Sequence, residues 1–277
     1  MSEAAPQPHA AEARFAGEPA VALWGGTAMP LLGLGVWQVR AKETERVVAL
    51  ALDEGYRHVD TASAYGNEEG VGRGIRASGL PREAVFVTTK MRPTRGNPQG
   101  ELLESLERLG LEYVDLYLIH WPAPGSDRLW PAFERLHAQG LARAIGVSNY
   151  DTTHLARLVA SSTTPPMVNQ IEFHPYFWSP AALDEHRRAG VVLEAYSPLA
   201  RGRGLDHPTI VAVARRHRRT PAQVLLRWAV QRGIPVIPKS SRAERIAENR
   251  RIFDFSLSPE DMAELDGLAM RRRRGVG

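Results

Sequence analysis

Between Leu31 and Ile237 the chain repeats one pattern eight times: a short apolar run, a polar turn, then a helical stretch. The runs are Leu31–Trp37, Arg57–Asp60, Val85–Lys90, Val114–His120, Ala144–Val147, Met167–Ile171, Val191–Tyr196 and Pro235–Ile237. They lack clean alternation of apolar and polar residues, as expected of parallel strands covered by helices on their outer face. Eight such units, with no linker long enough to divide them, predict an α/β fold: a closed (β/α)8 TIM barrel.

The remaining segments decorate that frame. Val21 to Met29 carries Gly25-Gly26 between two short apolar pieces, the pattern of an N-terminal β-hairpin. Asn97-Pro98 reads as the N-cap and first turn of a helix whose apolar face is Leu102, Leu103, Leu106 and Leu109. Two helices in succession, His207–His217 and Pro221–Gln231, and a last one after Ser258 are extra to the repeat. Residues 1–20, rich in Ala, Pro and Glu, are expected to be a disordered leader. Residues 21–270 form the barrel domain and residues 271–277 a basic tail.

Charge and composition narrow the function. The formal net charge is +4, which Arg271-Arg272-Arg273-Arg274 alone accounts for, so no basic face for nucleic acid is implied. Arg215-Arg216-His217-Arg218-Arg219 reads as a solvated helix end. There is no cysteine, which excludes disulfides, thiolate nucleophiles and Cys-ligated zinc and fits a cytoplasmic enzyme. No apolar run approaches the ~20 residues of a membrane-spanning helix, and no signal-peptide pattern opens the chain. No P-loop or HExxH motif occurs, so no metal is expected. Gly72-Arg73-Gly74-Ile75-Arg76-Ala77 fits G-x-G-x-x-A, but it lies inside a helical stretch and Arg92 stands where an acidic residue is required.

In a barrel the strand ends meet at one rim, where such folds keep their chemistry. Here that places together Asp60, Lys90, His120, Ser148-Asn149, Gln170, Tyr196-Ser197 and Lys239-Ser240, with Tyr65 a few residues beyond Asp60. A free phenol has a pKa near ~10, too high for efficient proton donation at neutral pH. A nearby ammonium lowers it, and a carboxylate keeps that ammonium charged and in place. A histidine can orient a substrate oxygen. Asp60, Tyr65, Lys90 and His120 therefore suit protonation of an oxygen on which negative charge builds, as in reduction of a carbonyl by hydride. Asp60 and Lys90 alone fit a structural ion pair equally well, His120 a rim histidine and Tyr65 simple packing. Four such groups in one half of one rim favour chemistry.

Longer motifs carry a resemblance. Gly55–Gly72, GYRHVDTASAYGNEEGVG, is similar to the first signature of the aldo-keto reductases. Leu111–Pro122 resembles their fourth-strand region, and Ile237-Pro238-Lys239-Ser240 with Arg245–Asn249 their cofactor signature. The likeness spans about Val21 to Leu268, in the family's order, with the flavour of the bacterial branch that includes 2,5-diketo-gluconate reductases. It implies that Tyr65 is the general acid, tuned by Lys90 and Asp60, and that His120 orients the carbonyl. It implies that Ser148, Asn149 and Gln170 hold the nicotinamide carboxamide, that Tyr196 stacks on the ring, and that Ser197 and Leu199 contact the pyrophosphate. Lys239, Ser240 and Arg245 would hold a 2′-phosphate, Glu248 and Asn249 would reach the adenine, and Trp37 and Trp121 would wall the substrate pocket. Cations and a hydroxyl suit a phosphate, so NADPH is expected rather than NADH.

The expected protein is a monomer acting on a small carbonyl compound, including diketo sugar acids, with no membrane or nucleic-acid partner. Two alternatives are an NADPH-binding regulatory subunit and a barrel lyase or isomerase of phosphorylated sugars. The loop Trp121–Arg128 and the stretch after Leu268 are short, which predicts an open pocket and broad substrate acceptance.

Overall fold

The computed structural model describes residues 13–15 and 17–274. Strands β1 (Ala20–Ala22) and β2 (Ala28–Pro30) pair antiparallel as the expected hairpin. Eight strands then build one parallel sheet: β3 (Leu34–Gly35), β4 (His58–Asp60), β5 (Phe86–Met91), β6 (Val114–Ile119), β7 (Ala142–Ser148), β8 (Val168–Glu172), β9 (Val192–Tyr196) and β10 (Val236–Ile237). They follow one another in chain order. Parallel bridges from Leu32 to Val236 and from Gly35 to Lys239 join the first strand to the last, so the sheet closes into the expected barrel.

That seam needs a residue without a side chain. A Cβ on Gly33 would lie 2.6 Å from Nδ1 of His58, inside the barrel. The backbone instead passes close, and Gly33 N–H donates to the Val236 carbonyl at 2.8 Å.

Helices cover the outside, and their starts follow local chemistry. Asn97, Asp151, Ser179 and Thr220 each cap a helix by accepting a bond from the amide three residues on. In the helix Pro98–Leu109 the apolar face is Leu102, Leu106 and Leu109, all buried, while Leu103 is 48% exposed. The expected inclusion of Leu103 fails because one residue is about 100° of helix rotation, which turns it from the barrel. No helix among the described residues is long and apolar enough to cross a membrane.

The G-x-G-x-x-A stretch lies in the helix Glu68–Ala77, as expected. A Cβ on Gly72 would fall 1.8 Å from the Leu109 carbonyl oxygen, so this glycine serves close helix packing.

Part of the stretch expected as a disordered leader, residues 1–20, is structured. Residues 1–12 and 16 lie outside the described residues. Ala13–Phe15 forms a 3-10 turn, and Phe15 is wholly buried against Phe86 at the start of β5. Arg14 pairs with the buried Asp115, and Glu18 with Arg250. A lone aromatic in a polar stretch carries no periodicity, which is why the boundary falls too late. At the other end the backbone of the last helix, Pro259–Arg274, runs through the four arginines, and residues 275–277 lie outside the described residues. The basic run at 215–219 lies at a helix end with Arg215, Arg216 and Arg218 exposed, as expected, and part of it is paired. Arg216 pairs with Asp261 and Glu264, His217 with Asp261, and Arg219 with Asp254.

Candidate active site

The loops that leave the strand ends surround a cavity of about 1090 Å³, lined among others by Asp60, Tyr65, His120, Tyr196, Lys239 and Arg245. Its floor is built from charges. Lys90, buried on β5, donates to both Asp60 oxygens at 2.7 and 2.8 Å and to the Thr61 carbonyl at 2.8 Å. Burial opposes charge on Lys90, but Asp60, Tyr65 and Glu194 together outweigh it and hold the ammonium above its usual range. Burial likewise pushes Asp60 upward, while Lys90 and Gln170 draw it down. With both oxygens on the ammonium, the pair stands ionised.

Tyr65 sits on the 3-10 turn Ser63–Tyr65, just beyond β4. The turn is fixed from both sides. Ser63 donates to the Lys90 carbonyl at 3.0 Å, and Thr61 to Asn67 at 2.9 Å, whose amide in turn donates to the Val36 carbonyl at 2.9 Å. The Tyr65 hydroxyl then faces Nε2 of His120 at 3.5 Å, and Lys90 Nζ lies 5.2 Å from the Tyr65 ring centre. Lys90 lowers the phenol pKa, as expected, yet the net shift is upward, because burial outweighs the ammonium and Asp60 adds to the rise. Lys90 cannot do more while Asp60 offsets its charge. His120 is pushed down to about 3 by burial and by the cations Lys90 and Arg92, so its imidazole is neutral.

On the opposite wall three register neighbours form a row. Ser148 of β7 lies beside Gln170 of β8, which lies beside Glu194 of β9. Ser148 Oγ donates to the Gln170 carbonyl at 2.8 Å. The Gln170 amide nitrogen donates to Asp60 and to Glu194, each at 2.8 Å. Both amide protons are therefore engaged below the cavity, and only the Gln170 amide oxygen is left to meet a ligand. Asn149, held at a left-handed φ of 63°, donates to the His120 carbonyl and accepts from the Tyr196 hydroxyl at 2.9 Å. Tyr196 is thereby tethered with its ring lining the cavity.

Farther along the cavity lie Ser197, Leu199, Lys239, Ser240, Arg245, Glu248 and Asn249. Ser240 Oγ accepts from the amide of Arg242, the residue just before the helix Ala243–Arg250. Lys239 and Arg245 are exposed, and neither forms an ion pair among the described residues, whereas their neighbour Arg242 pairs with Glu244. Glu248 accepts from Thr220 at 2.6 Å and so also braces a helix cap. Trp37 and Trp121 flank the mouth, 42% and 52% exposed.

Every rim residue expected from the sequence thus lines this cavity, except Lys90, which lies beneath it. The sequence reading missed Asn67, which braces the turn of Tyr65, and Glu194, which joins the floor network. A carboxyl two residues before Tyr196, inside an apolar strand, was the available signal for Glu194. Chemically, the floor offers a phenol kept protonated beside a fixed ammonium and a neutral imidazole. The far end offers two cations that form no ion pair among the described residues.

The model of the Aldo/keto reductase family matches residues 26–270. An aldo-keto reductase of Mycobacterium sp. (strain MCS) is 47% identical over 259 residues, 91% of this chain and 92% of its own. Among solved structures, an aldo/keto reductase of Brucella melitensis has 43% identity and a TM-score of 0.86, covering 90% of this chain and 97% of its own. An aldo-keto reductase of Bombyx mori, solved in complex with NADP, has 36% identity and a TM-score of 0.84, covering 91% and 92%.

Proposed function

This chain belongs to the aldo-keto reductase family of oxidoreductases, and from that premise we propose that it reduces aldehydes and ketones with NADPH, Tyr65 giving the proton. Family membership favours this over a lyase or isomerase of phosphorylated sugars.

The carrying observation is one cavity with two different ends. Tyr65 and His120, backed by the Lys90–Asp60 pair, stand at one, and Lys239 and Arg245, unpaired among the described residues, at the other. The donor set fits a nicotinamide dinucleotide phosphate. The Gln170 amide oxygen, with Ser148 and Asn149, suits a carboxamide. The Tyr196 ring suits a flat heterocycle, and Ser197 and Leu199 suit a pyrophosphate. Lys239, Ser240 and Arg245 suit a 2′-phosphate, with Glu248 and Asn249 beside the adenine. When bound, NADPH supplies the hydride.

This chain's residues do the rest. His120, being neutral, binds and orients the substrate oxygen without taking the proton itself. As negative charge grows on that oxygen, the Tyr65 hydroxyl passes its proton to it. Lys90 stabilises the phenolate left behind, and Asp60 keeps Lys90 charged. The product is the alcohol, and Tyr65 regains its proton from solvent. The two tryptophans leave the mouth wide, which suits small aldehydes and ketones, with diketo sugar acids a natural first panel. We infer a monomer acting in the cytoplasm.

Quenching of tryptophan fluorescence by NADPH and by NADH tests the cofactor half. NADPH is expected to bind at least ~10-fold more tightly, the effect of about 1.4 kcal/mol. Equal affinities would overturn the roles of Lys239 and Arg245. No binding of either would overturn the reductase.

A further inference from the structure

Glu194 lies beneath the proton-donating group, fully buried on β9. Its Oε2 accepts from the Gln170 amide, the same nitrogen that serves Asp60 Oδ2. One amide thus ties two carboxyl groups. The other Glu194 oxygen, Oε1, has no hydrogen-bond partner. Nε2 of His58 lies 3.8 Å from it, beyond hydrogen-bond reach, and sits 3.0 Å from Thr88 Oγ1 instead. The titratable groups that face Glu194 are His58 and Asp60 on β4, Lys90 on β5, and Tyr65 on the turn after β4. Lys90 is the one cation among them, and Asp60 holds it with both oxygens. Ionised, Glu194 would be a second negative charge in a dry core with one oxygen unpartnered, which such a core does not support.

We propose that Glu194 is a positioning residue for proton donation by Tyr65: held neutral, it fixes Gln170 in one orientation and leaves Asp60 as the single negative charge opposed to Lys90. This rests on Tyr65 being the donor. Burial first, and then Asp60, push the Glu194 carboxyl up to about 8. Burial and Lys90 push His58 down to about 3, so it brings no compensating charge. Loss of the Glu194 proton adds negative charge beneath Tyr65 and raises its pKa further, making it a weaker acid. Turnover therefore declines as pH rises through about 8, before Tyr65 itself ionises.

The test is kcat for reduction of a small aldehyde by NADPH from about pH 6 to about pH 10, in the wild type and in E194Q, whose side chain has the shape of the neutral acid. Similar rates at the acid end, with a several-fold decline near pH 8 in the wild type alone, are expected. Superimposable profiles, or an equal loss in E194Q at every pH, would overturn the role. Carbon-13 NMR of glutamate carboxyls in the wild type reads the same group without turnover or a variant. One signal is expected to titrate near 8, and if all titrate near the usual ~4.3 the role is overturned. A signal titrating near 8 in a protein that reduces no carbonyl would overturn the reductase reading, and the positioning role with it. Absence of that signal in an active reductase would overturn the positioning role alone.

Discussion

The Tyr65 hydroxyl stands 3.5 Å from Nε2 of His120, with the two rings inclined at 71°. Two neutral groups thus meet at the point where a substrate oxygen would enter, and the nearest cation is held a layer below. Tyr65→Phe removes the transferable proton and leaves the packing. It is expected to lower kcat by about 10²–10⁴-fold, the usual contribution of a positioned general acid, while NADPH affinity stays the same. Steady-state kinetics with a reactive aldehyde check this, and full turnover in the variant would mean that another group gives the proton.

Lys239 and Arg245 stand at the other end of the cavity, where the proposed 2′-phosphate would lie. Each charge-assisted hydrogen bond contributes about 1.5–3 kcal/mol. Arg245→Ala is accordingly expected to weaken NADPH binding by roughly 10- to 100-fold and to leave NADH unchanged. Because both side chains are exposed, the preference for NADPH should shrink as salt is added. Fluorescence titrations at two ionic strengths measure both effects. A parallel loss of NADH affinity would mean that the arginine supports the loop rather than the phosphate.

His58 gives the fold a built-in acid sensitivity. Its folded pKa is depressed to about 3 by burial and by Lys90, against about 6.5 when exposed. Between those values the unfolded chain binds a proton that the folded chain does not. Stability is therefore complete above about 6.5 and falls as pH drops toward 3, by up to about 1.4 kcal/mol per pH unit. His58→Asn should flatten that part of the curve in urea titrations between about pH 6 and pH 4. An unchanged slope would assign the acid loss to other groups.

Gly72→Ala separates packing from phosphate binding. The added methyl would meet the Leu109 carbonyl at 1.8 Å, so the helices must part. A loss of ~3 kcal/mol or more is expected in chemical unfolding, with no change in NADPH affinity of the folded protein. A loss of affinity without a loss of stability would revive the glycine pattern as a phosphate loop.

The barrel was legible because parallel strands announce themselves as short apolar runs whatever their partners. Their lengths were less so. The first and last strands shrink to Leu34–Gly35 and Val236–Ile237, since Pro235 and Pro238 lack the amide a ladder requires. The rim residues could be read from strand ends alone. Their mutual arrangement could not, because it depends on register. That Gln170 directs both amide protons downward follows from its having Asp60 across the barrel and Glu194 alongside. The direction of the Tyr65 shift was misjudged for a related reason. The sequence shows that an ammonium is near, but not that Asp60 already offsets it or that the ring is buried.

The bridge between Gly35 and Lys239 also has a bearing on biogenesis. Synthesis runs from the N-terminus, and the cation proposed to grip the cofactor's ribose phosphate lies just past the strand that meets the first one last. A nascent chain halted before residue 236 would hold Tyr65, Lys90 and His120 but have neither a closed sheet nor that grip. In the cell, cofactor capture would then mark completed molecules. Its binding energy would protect the finished barrel from unfolding while giving nothing to truncated ones.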